Sequence, residues 1–144
     1  MNKLNYSWQD LEKDIKILAK QIKENNYKPK KIVAITKGGL FIAGMISQFL
    51  EPYPIETVCI SSYIGSAKKR FIIMKENSSQ DKTLICDDVI DTGETMKAVK
   101  KMYPNSKILT LHYKPHSLIK PDYFMEATAD WVVYPWEINE NTTS

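Results

Sequence analysis

Apolar positions along the chain recur with two different periods, and the alternation between them predicts an α/β fold. Leu11, Ile15, Leu18 and Ile22 repeat at helical spacing behind Ser7, with Asp10 three residues on as in a capping box. An amphipathic surface helix ending near Asn25-Asn26 follows from this. The run Ile32-Val33-Ala34-Ile35 is short, apolar and β-branched, and Thr36-Lys37-Gly38-Gly39 closes it. That pattern predicts a buried strand running into a glycine turn. Leu40 to Leu50 has no polar face and predicts a helix packed against a sheet.

Glu56 to Ser62 reads as a second strand. Tyr63 to Arg70 is polar, contains Gly65 and lacks a period, which predicts a mobile loop or hairpin arm. Phe71 to Met74 reads as a short strand and Glu76 to Asp81 as a polar turn. Thr83 to Cys86 predicts a third buried strand that delivers Asp87 and Asp88 at its carboxyl end. A helix then opens at Thr92-Gly93-Glu94-Thr95, runs to about Tyr103 and stops at Pro104. Ile108 to His112 and Trp131 to Tyr134 are further strands. Strands alternating with helical patterns predict a mainly parallel sheet with helices on both faces, and ligands of such sheets bind beyond the carboxyl ends of the strands. Both glycine turns fall there.

The 144 residues suit one domain, and neither repeat nor low-complexity tract divides them. With 20 Lys and Arg against 17 Asp and Glu, the net charge of +3 is too small to argue for nucleic acid, but it is compatible with small anionic ligands. Cys59 and Cys86 lie in apolar runs outside any metal-ligand pattern, which predicts buried, reduced thiols. No apolar run nears the roughly 18 residues of a membrane span, and the amino terminus lacks the apolar core of a signal peptide. A cytoplasmic protein without membrane or nucleic-acid partners is expected.

The segment LICDDVIDTGETMKAV carries the most chemistry. An apolar strand ends in three carboxylates within five residues and passes at once into a Thr/Gly turn that starts a helix. Bare amides at such a helix start, with the hydroxyls of Thr92 and Thr95, suit a terminal phosphate monoester. Asp87 and Asp88 suit vicinal ribose hydroxyls or a hydrated Mg²⁺. Crowding Asp87, Asp88 and Asp91 is unfavourable unless a cation or a hydroxyl-rich ligand compensates them. The GxGxxG and GxxxxGK[ST] phosphate loops are absent from the sequence.

Apolar strand, paired Asp, two apolar residues, then D-T-G-x-T resembles the phosphoribosyl pyrophosphate (PRPP) motif of type I phosphoribosyltransferases. VAITKGGLFIAGMIS, ETVCISSY, MYPNSKILTLHYKP and DWVVYPWE follow in the order and spacing of bacterial xanthine-guanine phosphoribosyltransferases, from about Tyr6 to Glu137. The resemblance implies the type I fold, a mainly parallel central sheet flanked by helices with a small C-terminal hood. It implies one domain over 1–144, with a lid loop at about 63–75 and a base-binding hood at about 114–138.

It also implies roles. Asp87 and Asp88 would meet the ribose hydroxyls and the Mg²⁺ side, and Asp91 would be the general acid/base near purine N7. Thr92, Gly93, Glu94 and Thr95 would bind the 5′-phosphate, with Glu94 replacing a commoner small residue. Thr36, Lys37, Gly38 and Gly39 would form the pyrophosphate loop, in which a non-proline peptide is often cis. Lys37 stands where close bacterial relatives commonly carry Arg, so it supplies a point charge without a bidentate fork. Lys114 would read the purine 6-oxo group, and Trp131 with Val132 would stack the base and read its edge, with Trp136 and Glu137 closing the same pocket.

Ser61, Ser62 and Tyr63 would begin a lid that continues through Lys68, Lys69 and Arg70, shielding a ribosyl oxocarbenium-like transition state from water. His112 and His116 match no catalytic position, and the tail from Asn139 to Ser144 is expected to fray. The resemblance thus implies a Mg²⁺-dependent purine-salvage enzyme that joins PRPP to guanine, xanthine or hypoxanthine, releases pyrophosphate and a nucleoside monophosphate, and assembles as a homodimer or homotetramer. Alternatives are a transferase for another nucleobase and a non-catalytic PRPP sensor of the same fold.

Overall fold

The computed structural model describes residues 2–65, 68–73 and 79–138. Strand β1 (Lys3–Asn5) precedes helix α1 (Trp8–Glu24), where Ser7 Oγ accepts from the Asp10 amide at 3.0 Å and Asp10 Oδ2 accepts from the Ser7 amide at 2.8 Å. The expected capping box is therefore reciprocal. Strand β2 (Lys31–Thr36) leads into α2 (Gly38–Ile46), and the hairpin β3 (Ile55–Gly65) and β4 (Lys68–Ile73) follows. Next come β5 (Thr83–Cys86), β6 (Val89–Ile90), α3 (Glu94–Met102), β7 (Ser106–Leu109), β8 (His112–Tyr113), β9 (Glu126–Ala127) and β10 (Trp131–Val133).

The main sheet has the order β4-β3-β2-β5-β7, parallel throughout except for β4. Its strands read as continuous apolar runs because both faces are covered. Successive side chains leave a strand on opposite sides. Ile32, Ala34, Leu84, Cys86 and Leu109 pack with α1 and α2, whereas Val33, Ile35, Val58, Ile85 and Ile108 pack with Met96, Val99 and Tyr103 near α3. The remaining strands form two small sheets, β6-β8-β9 and β1-β10. Among the described residues, no helix is long and apolar enough to cross a membrane.

Four expectations are corrected. The helix expected over Leu40 to Leu50 starts at Gly38 and ends at Ile46, where Gln48 and Phe49 donate to carbonyls three residues back and tighten the chain into turns. Apolar character persists to Leu50 because Phe49 and Leu50 pack on the core as turn residues. The strand expected over Ile108 to His112 breaks after Leu109, and the amides of Leu111 and His112 turn to the Asp88 carbonyl instead. Strand β10 joins β1, an element absent from the sequence expectation, through a parallel register from Lys3↔Trp131 to Asn5↔Val133. Cys86 is buried as expected, but Cys59 is exposed.

Tyr63 to Gly65 and Lys68 to Arg70 fall on the paired strands β3 and β4. Parts of the expected lid, 66–67 and 74–78, and the tail at 139–144 lie outside the described residues, as do the side chains of 61–73.

Candidate active site

Parallel pairing of β2 with β5, Ala34 opposite Cys86, brings the carboxyl ends of the two strands side by side. The glycine turn after β2 and the acidic turn after β5 therefore meet. A methyl group on Gly38 would overlap the Asp88 carboxylate, and one on Gly39 would overlap the Cys86 carbonyl oxygen. Both glycines of the KGG run are thus required by close approach. The Thr36–Lys37 peptide is cis, and Lys37 is exposed at the mouth of this junction.

Asp87 and Asp88 are only partly exposed. The Asp88 amide donates to Asp87 Oδ1 at 2.9 Å and the Val89 amide to Asp88 Oδ1 at 2.7 Å. Burial, joined by the neighbouring Asp88 charge, holds the Asp87 carboxyl well above the ordinary range. Burial also raises Asp88, opposed by hydrogen bonds from Asp87, the backbone and the Trp136 side chain. Among the described residues, neither carboxylate has a cationic side chain within ion-pair distance. Glu137, raised by burial and by the Asp88 charge, adds a third acid to the same region.

Three clefts converge here. The first is lined by Asp87, Asp91, Thr92, Gly93 and Thr95. Gly93 caps α3 at φ 93°, a left-handed conformation that favours glycine, and a side chain there would press on Ser117 and the amides of Leu118 and Ile119. No side chain caps the helix start, and Thr92 Oγ1 accepts only the Glu94 amide, at 3.3 Å. Amides of the first turn are left facing an anion-sized hollow. Glu94 is exposed and does not line it.

The second cleft is lined by Val89, Asp91, Lys114, Trp131, Val132, Tyr134 and Glu137. Trp131 is 55% exposed, so its indole face is presented rather than packed away, whereas Val132 is buried. Lys114 is anchored to the acidic turn after β5 by its own amide, which donates to the Ile90 carbonyl at 2.9 Å, and its Nζ donates to the Asp130 carbonyl. The third cleft is bounded by Lys37, Gly38, Phe41, Asp88, Trp136 and Glu137. Asp91 is common to the first two clefts and Glu137 to the last two.

Trp136 lies elsewhere than the resemblance implied. It stacks between Phe41 (4.7 Å, 8°) and Tyr134 (4.9 Å, 4°), and it lines the cleft of Lys37 and Asp88 rather than that of Lys114 and Trp131. Glu137 borders both. His112 is buried, with Nδ1 2.9 Å from Tyr134 Oη, and that hydroxyl in turn donates to the Asp88 carbonyl at 3.3 Å. His116 is exposed, and its Nε2 lies 3.1 Å from Asp91 Oδ1. Neither contact was foreseeable from spacing, because each joins residues 22 to 25 positions apart.

The chain is similar to several known proteins. Xanthine-guanine phosphoribosyltransferase of Chromohalobacter salexigens is 33% identical over 135 residues, covering 92% of this chain and 82% of the relative. The enzyme of that name from Desulfotalea psychrophila is 35% identical over 135 residues, covering 91% and 84%. The crystal structure of purine phosphoribosyltransferase from Pyrococcus horikoshii superposes with a TM-score of 0.86 at 29% identity over 96% of both chains. Helicobacter pylori xanthine-guanine-hypoxanthine phosphoribosyltransferase shares the fold, with a TM-score of 0.83 at 20% identity over 95% of both chains. Residues 6–141, which include every turn that meets at the carboxyl ends of β2 and β5, match the phosphoribosyl transferase domain family, and the chain belongs to it.

Proposed function

We propose that this protein is a purine-salvage phosphoribosyltransferase, which transfers the 5-phosphoribosyl group from PRPP to guanine, xanthine or hypoxanthine and releases pyrophosphate and the nucleoside monophosphate. The carrying observation is the convergence of three chemically distinct clefts on Asp87, Asp88 and Asp91. An amide-lined hollow, an aromatic cleft with a lysine and a glycine-lined cleft with a lysine suit the three parts of the reaction: a phosphate monoester, a planar base and a diphosphate. Relatives named for xanthine and guanine support the base class.

The open amides of α3, with Thr92, Gly93, Glu94 and Thr95, hold the 5′-phosphate. Thr36, Lys37 and Gly38 hold the diphosphate, with Lys37 opposing its charge, and Asp87 and Asp88 accept from the ribose hydroxyls. The base lies against Trp131, beside Val132, and Lys114 donates to its 6-oxo group. As N9 attacks C1 of the ribose, the N9–C1 bond forms and the bond from C1 to the diphosphate oxygen breaks, the electron pair leaving with pyrophosphate. Asp91 takes the proton from N7. Most of the acceleration comes from orientation and from charges fixed before reaction.

Asp87 and Asp88 fit a magnesium ion: two adjacent, charge-frustrated carboxylates supply the hard oxygens it prefers, and the diphosphate supplies others. When bound, magnesium neutralises the diphosphate and eases its departure. The functional unit spans 1–144 with a lid at about 63–75 and a hood at about 114–138. It acts in the cytoplasm as a homodimer or homotetramer.

The test is pyrophosphate release from PRPP and Mg²⁺ with guanine, xanthine, hypoxanthine, adenine, uracil and orotate offered singly. Turnover is expected with 6-oxopurines alone. Tight PRPP binding without turnover on any base would overturn catalysis in favour of sensing, and turnover confined to adenine or a pyrimidine would overturn the base assignment.

A further inference from the structure

We propose that His116 is a positioning residue for this reaction, holding one oxygen of Asp91 so that the other is left for the proton of the base; the inference rests on the function proposed above. An ionised carboxylate only accepts, so the 3.1 Å contact with Asp91 Oδ1 requires His116 Nε2 to carry hydrogen. Asp91 is exposed and, among the described residues, has no other ion-pair partner. Left alone, its side chain would sample several staggered rotamers, only some of which face the base cleft.

The backbone places the imidazole. The Lys114 amide donates to the Ile90 carbonyl and the Leu118 amide to the Thr92 carbonyl, both at 2.9 Å. These bonds zip the hood turn to the phosphate turn on both sides of the pair, so that residues 114 to 118 run alongside 90 to 92. The Ser117 amide donates to the Lys114 carbonyl at 2.9 Å, making the turn tight and projecting residue 116 at its tip. Ser117 and the amides of Leu118 and Ile119 also crowd Gly93. His116 therefore meets Asp91 through a junction shared with Lys114, the proposed reader of the 6-oxo group. One rigid turn registers the base-reading lysine and the proton acceptor together.

An exposed contact of this kind is individually weak, so its effect on turnover should be modest and specific. In His116→Ala, kcat should fall roughly 5-fold, the size of an exposed charge-assisted contact, with the KM for PRPP unchanged. His116→Gln, which retains an N–H donor, should recover most of the loss. Asp91→Asn combined with His116→Ala should be no slower than Asp91→Asn alone, because the histidine acts through that carboxylate. The nitrogen resonance of His116 Nε2 should shift between wild type and Asp91→Asn, a readout that needs no turnover. With an active wild type, unchanged kcat in His116→Ala or an unmoved Nε2 resonance overturns this inference alone. A wild type inactive with every base overturns it together with the function.

Discussion

Gly38 and the Asp88 carboxylate occupy adjoining space at the ends of neighbouring parallel strands, so close that a single methyl group on Gly38 would overlap the carboxylate. Gly38→Ala should therefore leave the fold standing but displace Asp88 or the glycine turn after β2. Misplacement near 1 Å at a reacting centre costs about 10²-fold. The expected result is a fall of that order in kcat/KM for PRPP with circular dichroism unchanged.

Asp91 borders both the cleft of Thr92 and Thr95 and the cleft of Lys114 and Trp131. Asp91→Asn keeps the shape and removes the proposed proton acceptor. Turnover should drop about 10²-fold or more, while PRPP affinity measured by calorimetry stays near wild type. Unchanged turnover would sink the acid/base role.

Burial raises the carboxyls of both Asp87 and Asp88, and the Asp88 charge raises Asp87 further. Asp87→Asn removes a buried acid from the substrate-free protein, which should melt higher, by about 2–4 °C for each kcal/mol relieved. The same variant should lose transferase activity, a trade of stability against function. A lower melting temperature would show that the pair is already compensated.

Burial depresses His112 below its ordinary 6.5, a shift opposed by Glu126 and reinforced by Lys114. Below 6.5 the unfolded chain takes up a proton that the folded protein resists, so stability is retained above that value and lost as pH falls through it towards the depressed value. Denaturant titrations between pH 7 and 5 should show this loss, with a slope of at most about 1.4 kcal/mol per pH unit from this one group. His112→Gln should flatten that part of the slope whatever it does to the plateau. An unaltered slope would assign the acid lability to other groups.

Much of the fold could be read along the chain because its signals are local. The capping box at Ser7 and Asp10 spans three residues, and β2 and β5 announce themselves as apolar runs buried on both faces. Residues 87–95 were legible as a unit because strand end, acids and helix start are contiguous. Two of the failed expectations turned on contacts distant in sequence. Strand β10 leaves the main sheet because β1, more than 120 positions earlier, supplies its partner. The strand after Ile108 breaks because the Asp88 carbonyl captures two amides.

Readable along the chain alone are the α/β alternation, the two glycine turns, the crowded acids at 87–91 and the resemblance to type I phosphoribosyltransferases, since each is written in residues a few positions apart. Folding alone reveals that Gly38 abuts Asp88, that Trp136 lines the cleft of Lys37 rather than that of Trp131, and that His116 reaches Asp91. These depend on strand register and on how the turn at 114–118 zips to residues 90–92. Such pairings are selected by the packing of the whole chain, and local spacing carries no record of them.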